Sequence, residues 1–170
     1  MNYKTIESVI TFLRMDNPPV KREDSQEHII IKEFAKPIDI AEYLRMYRDV
    51  GAELNWLDRF FMDTSELNSK INHPNTHIHT FSINKKFAGY CELIKESQYV
   101  EILYFGLTEP FIGKGFGKYL LNKTIELAWN LNPEWIQLNT CDLDHPNALS
   151  TYKKAGFKAY KTKIEEKRIK

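Results

Sequence analysis

The chain has 170 residues, a length that fits one domain able to bury a core without disulfides or metals. Lys and Arg total 24 against 23 Asp and Glu, so the near-neutral charge gives no electrostatic case for nucleic acid or an anionic membrane. Two cysteines, Cys91 and Cys141, are too few for a disulfide framework, which makes a reducing cytoplasm the simplest expectation.

Met1 to Glu7 lacks a basic region followed by an apolar run, so no signal peptide is expected. No apolar stretch approaches the roughly 20 residues needed to span a bilayer. Ser8 to Arg14 reads as a first strand, and Asp16 to Gln26, with Pro18-Pro19 and many charges, as a loop. His28 to Phe34 reads as a strand. Pro37 opens a helix with Ile38, Ala41, Leu44 and Met46-Tyr47 at helical spacing, ended by Gly51. Trp56 to Phe61 is apolar and aromatic, and Asp63 or Thr64 caps a short helix running to about Asn72. Strands at His77 to Ile83 and Phe87 to Ile94 are joined by Asn84-Lys85-Lys86, a hairpin signal. Gln98 to Leu107 is the most hydrophobic strand, and a helix runs from Gly113 to about Asn130. Trp135 to Cys141 is a strand, Pro146 begins a helix ending near Gly156, and Phe157 to Thr162 is a last strand. The mixed-sign tail Lys161 to Lys170 reads as a solvated end. The alternation of elements is that of an α/β domain with a mixed central sheet.

Three of seven glycines, Gly113, Gly115 and Gly117, fall between the strongest strand and the longest helix. Glycine lets the backbone approach a ligand, and the free amides and dipole of a helix start favour a phosphate. Lys114 and Lys118 add positive charge. A P-loop is excluded, because Tyr119 follows Gly117-Lys118 and the required earlier glycine is Ile112. A Rossmann fingerprint is excluded too, since its third glycine would fall on Lys118 or Leu120. A glycine-rich turn without a ligand remains the plain alternative.

Ile112-Gly113-Lys114-Gly115-Phe116-Gly117 resembles the [Arg/Gln]-x-x-Gly-x-[Gly/Ala] signature of the GNAT superfamily of N-acetyltransferases, with Ile112 departing from Arg or Gln. Asn147 to Phe157 resembles that superfamily's second signature, Asn-x-x-x-x-x-Tyr-x-x-x-Gly-Phe. Tyr104 to Leu107, Phe111 to Gly115 and Thr140 to Pro146 are similar to a poorly characterised bacterial branch of it. The resemblance implies the GNAT fold, a mixed central sheet flanked by helices on both faces. Residues 27–170 would form the acetyltransferase domain, with 1–26 as an N-terminal strand and loop extension.

The resemblance further implies acetyl-CoA as cosubstrate and a small-molecule or peptide amine as acceptor, with direct transfer in a ternary complex. Amides of Gly113 to Lys118, including Phe116, would hold the CoA diphosphate beside Ile112. In this family the strand before the glycine turn is bulged and splays from its neighbour. The pantetheine arm would pair with Phe105 and Leu107, and the Leu107 amide would stabilise the oxyanion. Asn147 matches a position that bonds the pantetheine arm, and its alternative is a helix-turn residue. Tyr152 matches the proton donor to the departing thiolate, its alternative being a packed core tyrosine. Glu101 lies at the offset of a basic glutamate in the histone-acetyltransferase branch. It is the candidate base against a simple ion pair, and Glu92 is a weaker alternative. Trp56 and Arg59, with Phe60-Phe61, fall where such proteins build an acceptor pocket, and an aromatic wall with one Arg suits an amine bearing a carboxylate. Core packing is the alternative there.

Cys141, His145, Asp142 and Asp144 form an incomplete ligand set, so no metal is expected, and His145 is a candidate for lining the acceptor site. His77 and His79 share one strand face and read as surface or packing residues. Two rival functions stay open: a non-catalytic acyl-CoA sensor of the same fold, and a nucleotide-binding protein using the glycine turn. Homodimers are common in this fold.

Overall fold

A computed structural model describes residues 3–20 and 24–170. Part of the expected loop, residues 21–23, and the first two residues of the expected extension lie outside the described residues. The elements in chain order are β1 Lys4–Met15, β2 Ile29–Glu33, α1 Ile40–Gly51, α2 Thr64–Ile71, β3 Thr76–Ile83, β4 Lys86–Lys95 and β5 Tyr99–Leu107. They continue with α3 Phe116–Trp129, β6 Trp135–Cys141, α4 Ala148–Lys154 and β7 Lys158–Ile169. Among the described residues no helix is long and apolar enough to cross a membrane.

Local chemistry accounts for most boundaries. Asp39 caps α1 by accepting from the Glu42 amide at 2.9 Å, and Asp63 caps α2 by accepting from Ser65 and Glu66. Tyr43, Met46, Tyr47 and Val50 form the buried stripe of α1. Asn84 and Lys85 both have positive φ, 49° and 65°, as a two-residue hairpin turn requires. Helix α4 starts at Ala148, two residues beyond Pro146, with Asn147 at its N-cap.

The sheet runs β2-β3-β4-β5-β6-β1-β7 and is antiparallel except between β5 and β6. It is mixed and packed on both faces. Helix α3 covers Leu13, Leu93, Val100, Ile136 and Leu138 on one side, whereas α1 and α2 cover Ile78 and Tyr90 on the other. This is an α/β architecture built on a mixed central sheet with helices on both faces.

The tail differs from the sequence expectation. Strand β7 runs to Ile169 rather than ending near Thr162, so Lys161 to Lys170 is not a free solvated end. It pairs antiparallel with β1 from Lys4↔Ile169 to Arg14↔Lys158. An edge strand needs a partner for its backbone on one side only, and its side chains stay in water, so a charged sequence is no obstacle. Ion pairs within the strand, such as Lys163–Glu165 at 2.7 Å, also reduce the repulsion.

Candidate active site

Strand β5 carries the decisive irregularity. Glu92 pairs with Tyr104 and Leu93 with Ile102, which leaves Leu103 as an extra residue. At that point the sheet opens. Pairing of β5 with β6 covers only Tyr99 to Ile102, while β5 stays on β4 to Leu107 and β6 stays on β1 to Cys141. The Thr108 amide donates to the Ala88 carbonyl on β4 at 2.9 Å. Strand alternation therefore turns the main-chain groups of Leu107 and Phe105 towards the gap.

A cavity of about 670 Å³ passes through this gap from one face of the sheet to the other. On the α3 side it is lined by Leu107, Ile112, Gly113, Gly117, Asn147 and Tyr152. On the α1 side it is lined by Ile10, Phe12, Tyr47, Trp56, Asp58 and Tyr104, with Glu165 and Lys167 from β7. The Trp56 ring lies 4.9 Å from Tyr104 and 5.8 Å from Tyr47. A Cβ on Gly106 would collide with Val50 and press on Trp56, so the close approach of β5 to α1 requires glycine.

The glycine turn enters α3 in a left-handed conformation, with φ of 74° at Gly113 and 88° at Gly115. A Cβ at either position would have no atom within 4 Å, so the space above the turn is open. Gly115 occupies the N-cap of α3 without a side-chain bond, and the first turn carries no acidic residue. The first helical amides thus keep their positive field for an external anion, unlike the acid-capped starts of α1 and α2. Ile112, Gly113 and Gly117 line the cavity, while Lys114, Gly115, Phe116 and Lys118 lie just off it.

Tyr152 is half-buried against Phe157 and the α3-side core, and desolvation, then Asp144, pushes its phenol up. The hydroxyl is protonated throughout the neutral range, as an ordinary phenol with a pKa of about 10 already is. The loop before α4 is fixed by Asp144, which accepts from Thr140 at 2.8 Å and from the Cys141 amide at 2.9 Å. His145 Nδ1 accepts from the Asn147 amide at 3.2 Å, and both His145 and Asn147 reach the cavity.

Glu101 stands on β5 just before the bulge and is not part of the lining. Its Oε1 accepts from Gln137 at 3.3 Å and from Asn139 at 3.4 Å, and Asn139 does line the cavity. Burial pushes its carboxyl up, opposed by those two donors. Arg59 is neither at the surface nor in the lining. It is 4 % exposed and pairs at 2.7 Å with Glu92, which is fully buried. The Tyr43 hydroxyl donates to the other Glu92 oxygen at 2.7 Å. Burial pushes Glu92 up, and Arg59 and Tyr43 pull it back.

The cavity thus brings together Trp56, Phe105, Leu107, the glycine turn, His145, Asn147 and Tyr152, and it leaves Arg59 and Glu101 behind its walls. Sequence reading missed Ile10, Phe12, Glu165 and Lys167. The alternation of β1 and β7 marks one face of each strand, but nothing local says that the two strands meet beside Trp56.

A family model described as an acetyltransferase (GNAT) domain matches residues 43–170. Solved structures share the fold. A GCN5-related N-acetyltransferase from Sphaerobacter thermophilus aligns with a TM-score of 0.64 and 17% identity over 98% of this chain and 52% of its own. An aminoglycoside acetyltransferase from an uncultured soil metagenomic sample gives 0.60 and 18%, over 76% of this chain and 88% of its own. A tandem GNAT protein from the clavulanic acid biosynthesis pathway gives 0.66 and 12%, over 95% of this chain and 53% of its own. The chain spans about half the length of the first and third of these.

Proposed function

This chain belongs to the GNAT acetyltransferase family, and from that premise we propose that it is an acyltransferase that moves the acetyl group of acetyl-CoA to a primary amine of a small molecule or peptide. One observation carries the reading: a single cavity joins the glycine turn, the opened edge of β5 and Tyr152. The open left-handed turn and the uncapped start of α3 fit a diphosphate, which amides from Gly113 to Lys118 would hold. When bound, acetyl-CoA supplies the acyl group as an activated thioester.

The chain's own groups then divide the work. Main-chain groups of Phe105 and Leu107 face the gap and orient the pantetheine arm, and the Leu107 amide donates to the acyl oxygen as charge develops there. Asn147, free of any capping bond, anchors the same arm. Trp56 and His145 line the acceptor's approach. An alkylamine has a pKa of about 10.4 and arrives protonated. Glu101 receives that proton through water passing Asn139, its second oxygen being free of the two amide donors. Tyr152 gives its hydroxyl proton to the leaving sulfur. Arg59, held by Glu92, positions the acceptor wall from behind.

Thermal shift with acetyl-CoA, CoA, ATP and NAD, followed by free-thiol release across an amine panel, tests this reading. The expected result is stabilisation by the two CoA species alone and thiol release that depends on amine. Stabilisation by ATP or NAD instead would contradict it, and CoA binding without release for any amine would leave a binding function only.

A further inference from the structure

Glu101 must be a carboxylate before it can take a proton, yet no neighbouring charge helps to ionise it. Glu96, in the turn after β4, opposes its charge. Arg14 of β1 is taken up by Asp16 at 2.8 Å. The phenols of Tyr99 on β5 and Tyr160 on β7 are neutral near pH 7. What favours the charged form is a pair of neutral amide donors from β6, Gln137 and Asn139, both on Oε1.

The two donors differ. Asn139 lines the cavity and meets whatever enters it, whereas Gln137 is 7 % exposed and stands outside the lining. Gln137 is therefore the fixed donor, but an amide has two ends. Its nitrogen beside Glu101 favours the carboxylate, and its carbonyl there would favour the protonated acid. The Tyr160 hydroxyl donates to the Gln137 carbonyl oxygen, which keeps the nitrogen end turned to Glu101. Donation thus runs one way, from Tyr160 to Gln137 to Glu101, and each bond polarises the next.

The backbone places Tyr160 for this contact. Phe12 of β1 pairs with Lys161 and Leu13 with Ala159, which leaves Tyr160 as an extra residue on β7. Such a bulge re-aims the side chain it carries. The ring is then held by the edge of Trp135, at 6.3 Å, and by the Arg14 guanidinium, 5.8 Å from its centre.

We infer that Tyr160 and Gln137 are positioning residues: the phenol fixes the amide, and the amide keeps Glu101 ionised and ready to take the acceptor's proton. The inference rests on the reading above in which Glu101 is the base of the transfer.

Carboxyl NMR of the free protein, with 13C-labelled glutamate, tests it without turnover. The Glu101 signal is assigned by its loss in Glu101→Gln. The near-isosteric Gln137→Met removes the donor and is expected to raise the Glu101 midpoint by about one pH unit, tenfold in the protonation equilibrium. Tyr160→Phe is expected to raise it by a smaller amount, and its side chain, 45 % exposed, tolerates the change. In the double variant the midpoint is expected to stay at the Gln137→Met value, because Tyr160 acts only through the amide. The acid limb of kcat/KM should move upward in the same order. A Glu101 midpoint unmoved by Tyr160→Phe, with only a lowered melting temperature, would overturn the inference, as would shifts that add in the double variant. Should Gln137→Met fail to fold, Tyr160→Phe alone decides. The expected NMR shifts without thiol release from any amine would support the positioning and fault the transfer reading alone.

Discussion

At the scale of single residues, burial sets the proton chemistry. Tyr152 is protonated at neutral pH as any phenol is, and desolvation raises its pKa further. Tyr152→Phe is expected to lower kcat by about 10²-fold while largely preserving acetyl-CoA affinity, as measured by steady-state kinetics beside calorimetry. Unchanged turnover would remove it from the donor role. Glu101 must be ionised to accept a proton, and burial raises its pKa. The acid limb of kcat/KM is therefore displaced upward from the ordinary glutamate range, and activity is lost as pH falls through it. Glu101→Gln should lower kcat and remove that limb, whereas an unchanged pH profile would exclude Glu101. Arg59 shows where residue-level reading fails. Within a 3-10 turn at Asp58–Phe60, neighbouring side chains point in different directions, so Asp58 reaches the cavity and Arg59 turns inward. Its partner Glu92 is 33 positions away in sequence and supplies no local signal. Removing the guanidinium strands a buried carboxylate, so Arg59→Ala should cost about 3–5 kcal/mol in chemical denaturation.

At the scale of elements, the glycine turn was legible because absent side chains are themselves the signal. Positive φ at Gly113 and Gly115 agrees with glycine placed there to free the backbone. Since a Cβ at Gly115 meets nothing, Gly115→Ala carries only a conformational penalty of about 1–2 kcal/mol. The same substitution is expected to weaken CoA binding well beyond its effect on the melting temperature of the free protein, because the turn must present its amides together. Equal affinity in the two proteins would detach the turn from CoA. The bulge at Leu103 was not legible from the residues alone. Glu101 to Leu107 reads as an ordinary hydrophobic strand, and the slip appears only in its register against β4.

At the scale of the whole molecule, the order of elements was readable from periodicity, but the lateral order of strands was not. Strand β1 lies between β6 and β7, pairing Ile10 with Cys141 and with Lys163. Such contacts join opposite ends of the chain, and no local pattern encodes them. The consequence is functional as well as structural, because Ile10 and Phe12 of the first strand and Glu165 and Lys167 of the last line the cavity. Leu13 is fully buried at the centre of β1. Leu13→Ala should destabilise the fold by about 2–5 kcal/mol, a loss readable by urea unfolding. A loss below 0.5 kcal/mol would mean that β1 is an appendage rather than part of the core.

The structure of the protein in complex with CoA tests the central claim most directly. The diphosphate is expected on the amides of residues 113–118, with the pantetheine arm along Phe105 and Leu107 and the sulfur beside the Tyr152 hydroxyl. A diphosphate bound elsewhere, or a sulfur remote from Tyr152, would contradict the proposed site.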